Sequence, residues 1–412
     1  MLPSAPSPAI EGAAPRRPPA PGETRLLLLL AAVQFTHIVD FMIMMPLGPQ
    51  FMRLFGVVPQ QFGLLVSAYT FAAAASGFLA AFWVDRLDRK RALLALYAGF
   101  IVGTTLCGLA PNYLSLLAAR IVAGAFGGVI GGLVFAIVAD LVPYERRASA
   151  TAIVAAAFSL SSVVGIPCAL WLAAAAGWRT PFLVLALASV GVAAVAWRAL
   201  PPLSAHVDPQ ARPRPLGQLR AIFGVPNHRW AFGLMIALMF AGFTVIPFIA
   251  PYNVANVGIR EADLAIVYFV GGLATLVTSQ VIGRLADRHG KRRVFTVVAL
   301  VSVVPLLLTT HLPPLPLPAV VASAVLFFVF VPGRFGPALA LVTGSVEPRL
   351  RGSFMSFNAS IQQLGAGFAS LLAGLLIGRA SDGTLTGYGT VGWIAAGWTF
   401  AAIWIARRVR IV

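Results

Sequence analysis

The feature that most constrains this chain is a repeating series of uninterrupted apolar runs, each about twenty residues long. An α-helix of that length crosses a ~30 Å hydrocarbon core at ~1.5 Å per residue. In lipid the backbone must satisfy its own hydrogen bonds, so a chain built of such runs folds as a bundle of spanning helices. The spacing predicts helices over 26–48, 60–83, 92–110, 114–139, 149–175 and 181–199. A second set follows over 229–251, 263–283, 294–311, 318–343, 353–378 and 389–406. Between the sets, residues 200–228 are polar and rich in proline, with no run long enough to span, and read as a linker. The expected organisation is a disordered tail (1–25), a six-helix bundle (26–199), the linker (200–228), a second six-helix bundle (229–408) and a short tail (409–412). Arg25 followed by LLLLLAAV resembles the start of a secretory signal. The apolar stretch runs on past Met45 without a convincing cleavage site, so it reads as a retained first helix.

The chain is 59% hydrophobic and 10% charged, against roughly 25% charged in soluble domains. Its formal charge of +17 would suit nucleic acid only if the basic residues shared a polar face. They lie instead in short tracts between the apolar runs, which excludes that partner. The great majority fall on one side: the tail, 83–91, 140–148, the linker, 284–293, 345–352 and the C-terminus. The opposite loops hold Arg53, Arg179, Arg260 and Arg379. Basic short loops stay in the cytoplasm, so both termini are expected there, with Trp83, Trp178, Trp197 and Trp230 anchoring span ends at the interface. Cys107 and Cys168 both lie inside apolar runs, which leaves no disulfide framework and no metal cluster.

Two of the basic tracts echo each other. AFWVDRLDRKR (81–91) follows the second helix, and GRLADRHGKRR (283–293) follows the eighth. PYERRAS (143–149) and EPRLRGS (347–353) repeat the echo after helices four and ten. Parallel six-helix repeats characterise one large class of transporters. The 283–293 tract, with Gly283, Asp287, Arg288, Gly290 and Arg292, resembles the signature loop of the major facilitator superfamily almost residue for residue. The first copy is degenerate, with Ala81 and Asp88 where the family usually has glycine. Arg120 and Gly124 resemble the family's arginine-containing helix-four motif, and Gly-Trp-Arg before Pro181-Phe182 recurs in its bacterial efflux members. Gly165-Ile166-Pro167 partly matches the antiporter motif without its flanking glycines, and a kink for close packing is the favoured reading. The resemblance covers residues 26–408. It implies two pseudo-symmetric bundles, alternating access, monomeric function and kinship with twelve-helix drug:proton antiporters and sugar efflux permeases of the bacterial inner membrane.

The tracts also have a physical reading of their own. Asp85 and Asp287, beside Arg86, Arg89 and Arg288, can pair with guanidinium groups or cap a helix N-terminus. Such contacts would hold the cytoplasmic mouth shut; a solvated, purely topogenic charge run is the alternative. Asp140 ends helix four, where the dipole disfavours an anion, and an arginine from 86–91 or Arg147 would relieve it. Glu145, Arg147 and Arg351 complete the expected gate set.

Ionisable residues inside spans are costly and mark function by default. Asp40, Arg120 and Arg334 qualify, and His37 lies one turn before Asp40. Counted along the helices, Asp40 and Arg120 both lie ~21 Å from the cytoplasmic face, so they can meet across the first half of the cavity. Asp40 is then the candidate proton site, with His37 and Arg120 setting its affinity; a static ion pair is the competing reading. Arg334, in the broken stretch VPGRFGPAL, is expected to face the translocation path or the inner gate. Asn358, Gln362 and Gln363 of helix eleven, with Gln34, Phe41, Met45 and Tyr69, are candidates to line the substrate cavity. No HExxH, GxSxG, metal-ligand spacing or phosphate loop is present, so no cofactor and no catalysis are expected. The leading function is proton-coupled efflux of a small molecule; proton-coupled uptake or facilitated diffusion on the same fold is the alternative.

Overall fold

The computed structural model describes residues 22–80, 82, 84–204, 215–347 and 350–412. Most of the predicted tail, Trp83 and the middle of the linker lie outside the described residues, as do the side chains of Asp85 and Glu145. Twelve helices are long and apolar enough to cross a membrane. The first bundle comprises α1 (Glu23–Ile43), α2 (Pro59–Ala80), α3 (Arg89–Leu109), α4 (Tyr113–Leu141), α5 (Ser149–Ala176) and α6 (Arg179–Ala199). The second comprises α7 (Pro226–Val257), α8 (Glu261–His289), α9 (Lys291–Thr310), α10 (Leu317–Gly344), α11 (Arg351–Leu376) and α12 (Tyr388–Arg408).

Local chemistry sets the helix ends. Asn112 and Ser115 form a reciprocal capping box that starts α4. Asp88 caps α3 by accepting from the Arg91 amide at 2.9 Å, and its second oxygen accepts from the Leu203 amide at 2.6 Å. Asp88, which stands where the family usually has glycine, thus supplies the cap of α3. Two expectations are corrected, and one element was not anticipated. α1 stops at Ile43, and a turn at 44–47 leads into a short helix, Gly48–Leu54. α8 continues through the second basic tract, so Gly283, Asp287 and Arg288 stand on helix and only Gly290, at φ +91°, ends it. Arg288 and His289 in that last turn suit the negative end of the helix dipole. The loop after α11 forms a two-stranded hairpin, Gly378–Arg379 (β1) against Leu385–Thr386 (β2), which hydrophobic periodicity did not announce.

α10 changes direction at Arg334, where its two helical segments meet after Pro332 and Gly333. α5 carries a π-helical turn at Ser161–Gly165, just ahead of Pro167. α7 is broken by a 3-10 turn at Ile246–Phe248 and a π-turn at Asn253–Val257. These irregular turns put helix ends deep inside the bundle, where neighbouring helices supply the contacts.

The two halves meet unevenly. At the end away from the termini (the distal end), one apolar cluster joins them, with Met44, Leu47, Phe51 and Phe62 of the first half against Val245, Phe248 and Tyr388 of the second. Toward the terminal end the clusters separate. Leu30, Tyr97, Val134 and Val154 belong to one, and Phe232, Phe295, Leu341 and Phe354 to another; Phe78 of α2 and Phe82 just beyond it reach across. The halves therefore share one apolar core at the distal end and keep largely separate cores toward the terminal end.

Small residues make the crossings close. A Cβ on Gly374 of α11 would stand 2.9 Å from the Pro59 carbonyl and 3.2 Å from the Gly63 Cα of α2. A Cβ on Gly272 of α8 would stand 2.6 Å from the Ser162 carbonyl of α5. Such backbone approach is how helices associate where lipid supplies no hydrophobic drive. Gly374→Val should force α2 and α11 apart and lower stability by about 1–3 kcal/mol. A fall in the melting temperature of the detergent-solubilised protein checks this, and an unchanged value would contradict the contact.

Candidate functional site

The first bundle holds a fully buried ion pair. Arg120 Nη1 of α4 donates to Asp40 Oδ2 of α1 at 3.0 Å and to the Asp40 carbonyl at 3.3 Å. Thr104 Oγ1 of α3 donates to Asp40 Oδ1 at 3.0 Å, so three helices converge on one carboxylate. Both charged side chains are shielded from solvent. The Arg120 guanidinium lies 4.3 Å from the centre of the Tyr69 ring on α2, a cation–π contact that occupies its remaining face. Glycines on α4 make room: a Cβ at Gly124 would stand 2.3 Å from the Tyr69 carbonyl, and one at Gly127 would stand 2.4 Å from the Tyr69 hydroxyl.

Asp40 and Arg120 thus meet inside the bundle rather than across an open cavity, because α1 turns Asp40 toward α3 and α4. The face of α1 next to it carries Gln34, His37 and Phe41. Phe41 packs at a tilt against Tyr69 (5.3 Å between centroids) and reaches Phe243 of α7 in the opposite half (6.0 Å). His37 packs edge-on to Phe100 of α3 and is partly exposed.

The other cavity candidates divide. Gln362 and Gln363 are partly exposed on α11. Met45 is buried in the distal cluster, Tyr69 lies under Arg120, and Asn358 is wholly buried. The expectation that Arg334 faces the path or the gate is corrected. Its Nη1 donates to Ser302 Oγ of α9 at 3.1 Å and to Thr399 Oγ1 of α12 at 2.8 Å, with the side chain 2% exposed. Each hydroxyl donates in turn to its own helix carbonyl, which leaves its lone pairs free to receive the guanidinium. Helix rotation, fixed by packing, decided this orientation.

At the terminal end, Arg89 Nε pairs with Asp140 Oδ2 at 2.9 Å, linking α3 to α4. Arg147 donates to the Ala139 carbonyl, and Arg146 pairs with Glu23 at 2.7 Å. In the second half, Arg292 donates to the Val409 carbonyl at 2.6 Å, and Arg351 approaches the Val346 carbonyl at 3.5 Å. Arg86, Asp287 and Arg288 stand exposed. Each of these contacts stays within its own half. At the distal end an ion pair joins the halves, between Arg53 and Glu261. Sequence reasoning missed both members, and missed Thr104. A lone threonine in mid-span was the available signal for the latter, whereas Arg53 and Glu261 sit in separate loops whose proximity depends on the fold.

The sequence model of the Major Facilitator Superfamily matches this chain over residues 30–254 and again over 231–411. The chain therefore belongs to the Major Facilitator Superfamily, a family of membrane transporters. The chain is similar to an uncharacterized MFS-type transporter, YceJ, of Bacillus subtilis (strain 168), with 26% identity over 87% of this chain and 91% of that one. A probable sugar efflux transporter of Helicobacter pylori (strain G27) is 25% identical over 59% of this chain and 60% of its own. Among solved structures, a bacterial homolog of the human lysosomal transporter Spinster, inward-facing and unoccupied, superposes with TM-score 0.72 at 18% identity, over 96% of this chain and all of that one. The nucleoside transporter NupG superposes with TM-score 0.70 at 15% identity, over 93% of this chain and 99% of its own. At these identities the superpositions speak for the fold.

The buried pair makes a stability prediction. Arg120→Met should destabilise by about 3–5 kcal/mol, because it strands a carboxylate in the bundle. Adding Asp40→Asn should recover most of that loss. Thermal unfolding of the two variants in detergent, with equal losses in single and double variant, would contradict the pairing.

Proposed function

We propose that the protein is a proton-coupled exporter of a small drug-like or sugar-like molecule, working by alternating access in a bacterial inner membrane. Both termini lie in the cytoplasm on this reading, so the structure is an inward-facing state, and the transporter acts as a monomer. The observation that carries the proposal is the Asp40–Arg120 pair with Thr104, an ionisable group deep in the membrane beside the wall between the halves. An ion pair that serves stability alone gains little over apolar packing, since desolvating both charges costs about what their attraction returns. A carboxylate that releases its arginine when protonated has a use for the charge. Binding a proton there changes what α1, α3 and α4 exchange with one another, and so biases the balance between the two openings. The relatedness to a probable sugar efflux transporter supports export over import.

The terminal-end contacts fit the cycle. Arg89–Asp140 and Arg292–Val409 brace each half as a rigid body, while Asp287 and Arg288 stand free to engage when the halves close there. Arg53 and Glu261 latch the distal mouth.

In proteoliposomes under an imposed pH gradient, with a panel of lipophilic cations, sugars and antibiotics, the wild type should move a substrate against its gradient. Asp40→Asn should abolish concentrative movement while keeping downhill exchange. A variant that still concentrates substrate would end the coupling assignment, and substrate moving in the same direction as protons would assign uptake. A second prediction concerns the latch. An exposed ion pair contributes ~0.2–1 kcal/mol, so Glu261→Gln should raise the distal-open population by at most about five-fold. Spin-label distances across the distal mouth measure that shift, and no change would remove the pair from the gating scheme.

A further inference from the structure

Resting on the proton-coupled reading, we infer that His37 is the relay residue that carries protons between the terminal-end cavity and Asp40, with Gln34 and Tyr69 shaping its route. Asp40 is sealed, so a coupling role requires a way for protons to reach it. Gln34, His37 and Asp40 recur every third residue on α1, and side chains at that spacing are neighbours ~5–6 Å apart at Cβ. Exposure along this row is greatest at its middle member, with Gln34 only 8% exposed on the terminal-end side. His37 is partly open, while Asp40 one turn further in is wholly enclosed.

Facing the row, α4 presents glycine. One point above Gly127 lies 2.4 Å from the Tyr69 hydroxyl and 3.2 Å from His37 Cδ2, so those two polar side chains flank the same bare stretch of helix. Gly131, one turn on, approaches Gln34 Nε2 at 3.5 Å, and Gly132 has open space before it. The polar atoms at this seam are buried and have no protein partner: Gln34 Oε1, His37 Nδ1 and Tyr69 Oη. A buried donor or acceptor left unpaired costs about 1–3 kcal/mol, so a seam holding three of them is built for small polar guests. Water and protons fit that description.

The titratable groups around the seam are Asp40 on α1, Tyr69 on α2, Tyr97 and Cys107 on α3, and Arg120 on α4. Tyr97 is held by its 2.7 Å hydrogen bond to Thr36, and Arg120 by its contact with Asp40. His37 is the group among them with two ring nitrogens, so it can take up a proton on one and give one up from the other. Neutral His37 accepts a proton from a hydronium ion in the cavity on one ring nitrogen. The other nitrogen releases its proton, through one water, to the Asp40 carboxylate. One proton enters and one is delivered; the imidazole ends neutral in its other tautomer, and Asp40 ends as a neutral acid released from Arg120.

Time-resolved infrared spectroscopy after a pH jump tests this on the intact protein in vesicles, with the proton itself as probe. The Asp40 carboxyl band is identified by its loss in Asp40→Asn. His37→Gln should slow the rise of that band about a hundred-fold, the scale of a positioned proton-transfer group. His37→Ala should slow it likewise, and added imidazole should restore the rate by entering from the cavity. Unchanged rates would overturn the relay, as would slow variants that imidazole leaves slow, since His37 would then act through packing. A wild type with no pH-responsive band removed by Asp40→Asn would overturn the coupling reading itself, and the relay with it.

Discussion

The structure depends on a carboxylate and a guanidinium that are held together out of water. Neither Asp40 nor Arg120 is tolerable alone in the middle of the bundle, so the backbone around them is arranged to keep them in register. Thr104 on α3 supplies the second oxygen's partner, and the Tyr69 ring covers the guanidinium's free face. The glycines of α4 follow from that arrangement, because Tyr69 can lie against α4 only where side chains are missing. One electrostatic requirement thus fixes the rotation of α1, the spacing of α2 from α4, and the composition of α4's inner face.

The two halves answer the same problem differently. In the second half Arg334 is also buried, yet it rests on two hydroxyls, Ser302 and Thr399, with no carboxylate. A guanidinium on neutral acceptors keeps one set of partners whatever the local proton supply. A guanidinium on a carboxylate can lose its partner when that group is protonated. On the proposed coupling, this asymmetry puts proton sensitivity in the first half and a fixed structural charge in the second. Coupling then needs one half to respond and the other to serve as the surface it moves against.

Much of this was legible in the sequence, for identifiable reasons. Apolar runs in lipid have one solution each, so the helices were readable, and the duplicated tracts gave the two-bundle plan. The opposing charges of Asp40 and Arg120, at equal depth on helices of known direction, pointed to their meeting. Rotation about a helix axis was less legible, because every face of these helices is apolar and periodicity carries little information. Arg334 therefore turned away from the path it was expected to line, and Tyr69, Met45 and Asn358 turned out to be buried. The extension of α8 through Asp287 and Arg288 was hidden for another reason. Charged residues end an apolar run without ending a helix, and the stop is set by Gly290.

The uneven contact between halves explains where irregular backbone is concentrated. Rigid bundles that rock must change contacts at both ends while staying joined along the middle. α2 and α11 stay together along their length, through Gly63 and Gly374 at one end and Phe78 and Phe357 toward the other. α5 and α8 touch near Ser162 and Gly272, next to the π-turn at Ser161–Gly165. A π-turn places an extra residue in one turn, so the segments on either side can rotate relative to each other at modest cost. The break in α7 at Ile246–Phe248 lies on the opposite half, in the apolar cluster the halves share. Each half thus has helices able to bend where they meet the partner, while the polar contacts that brace it, Arg89–Asp140 in one and Arg292–Val409 in the other, sit at the terminal end and move with their own bundle.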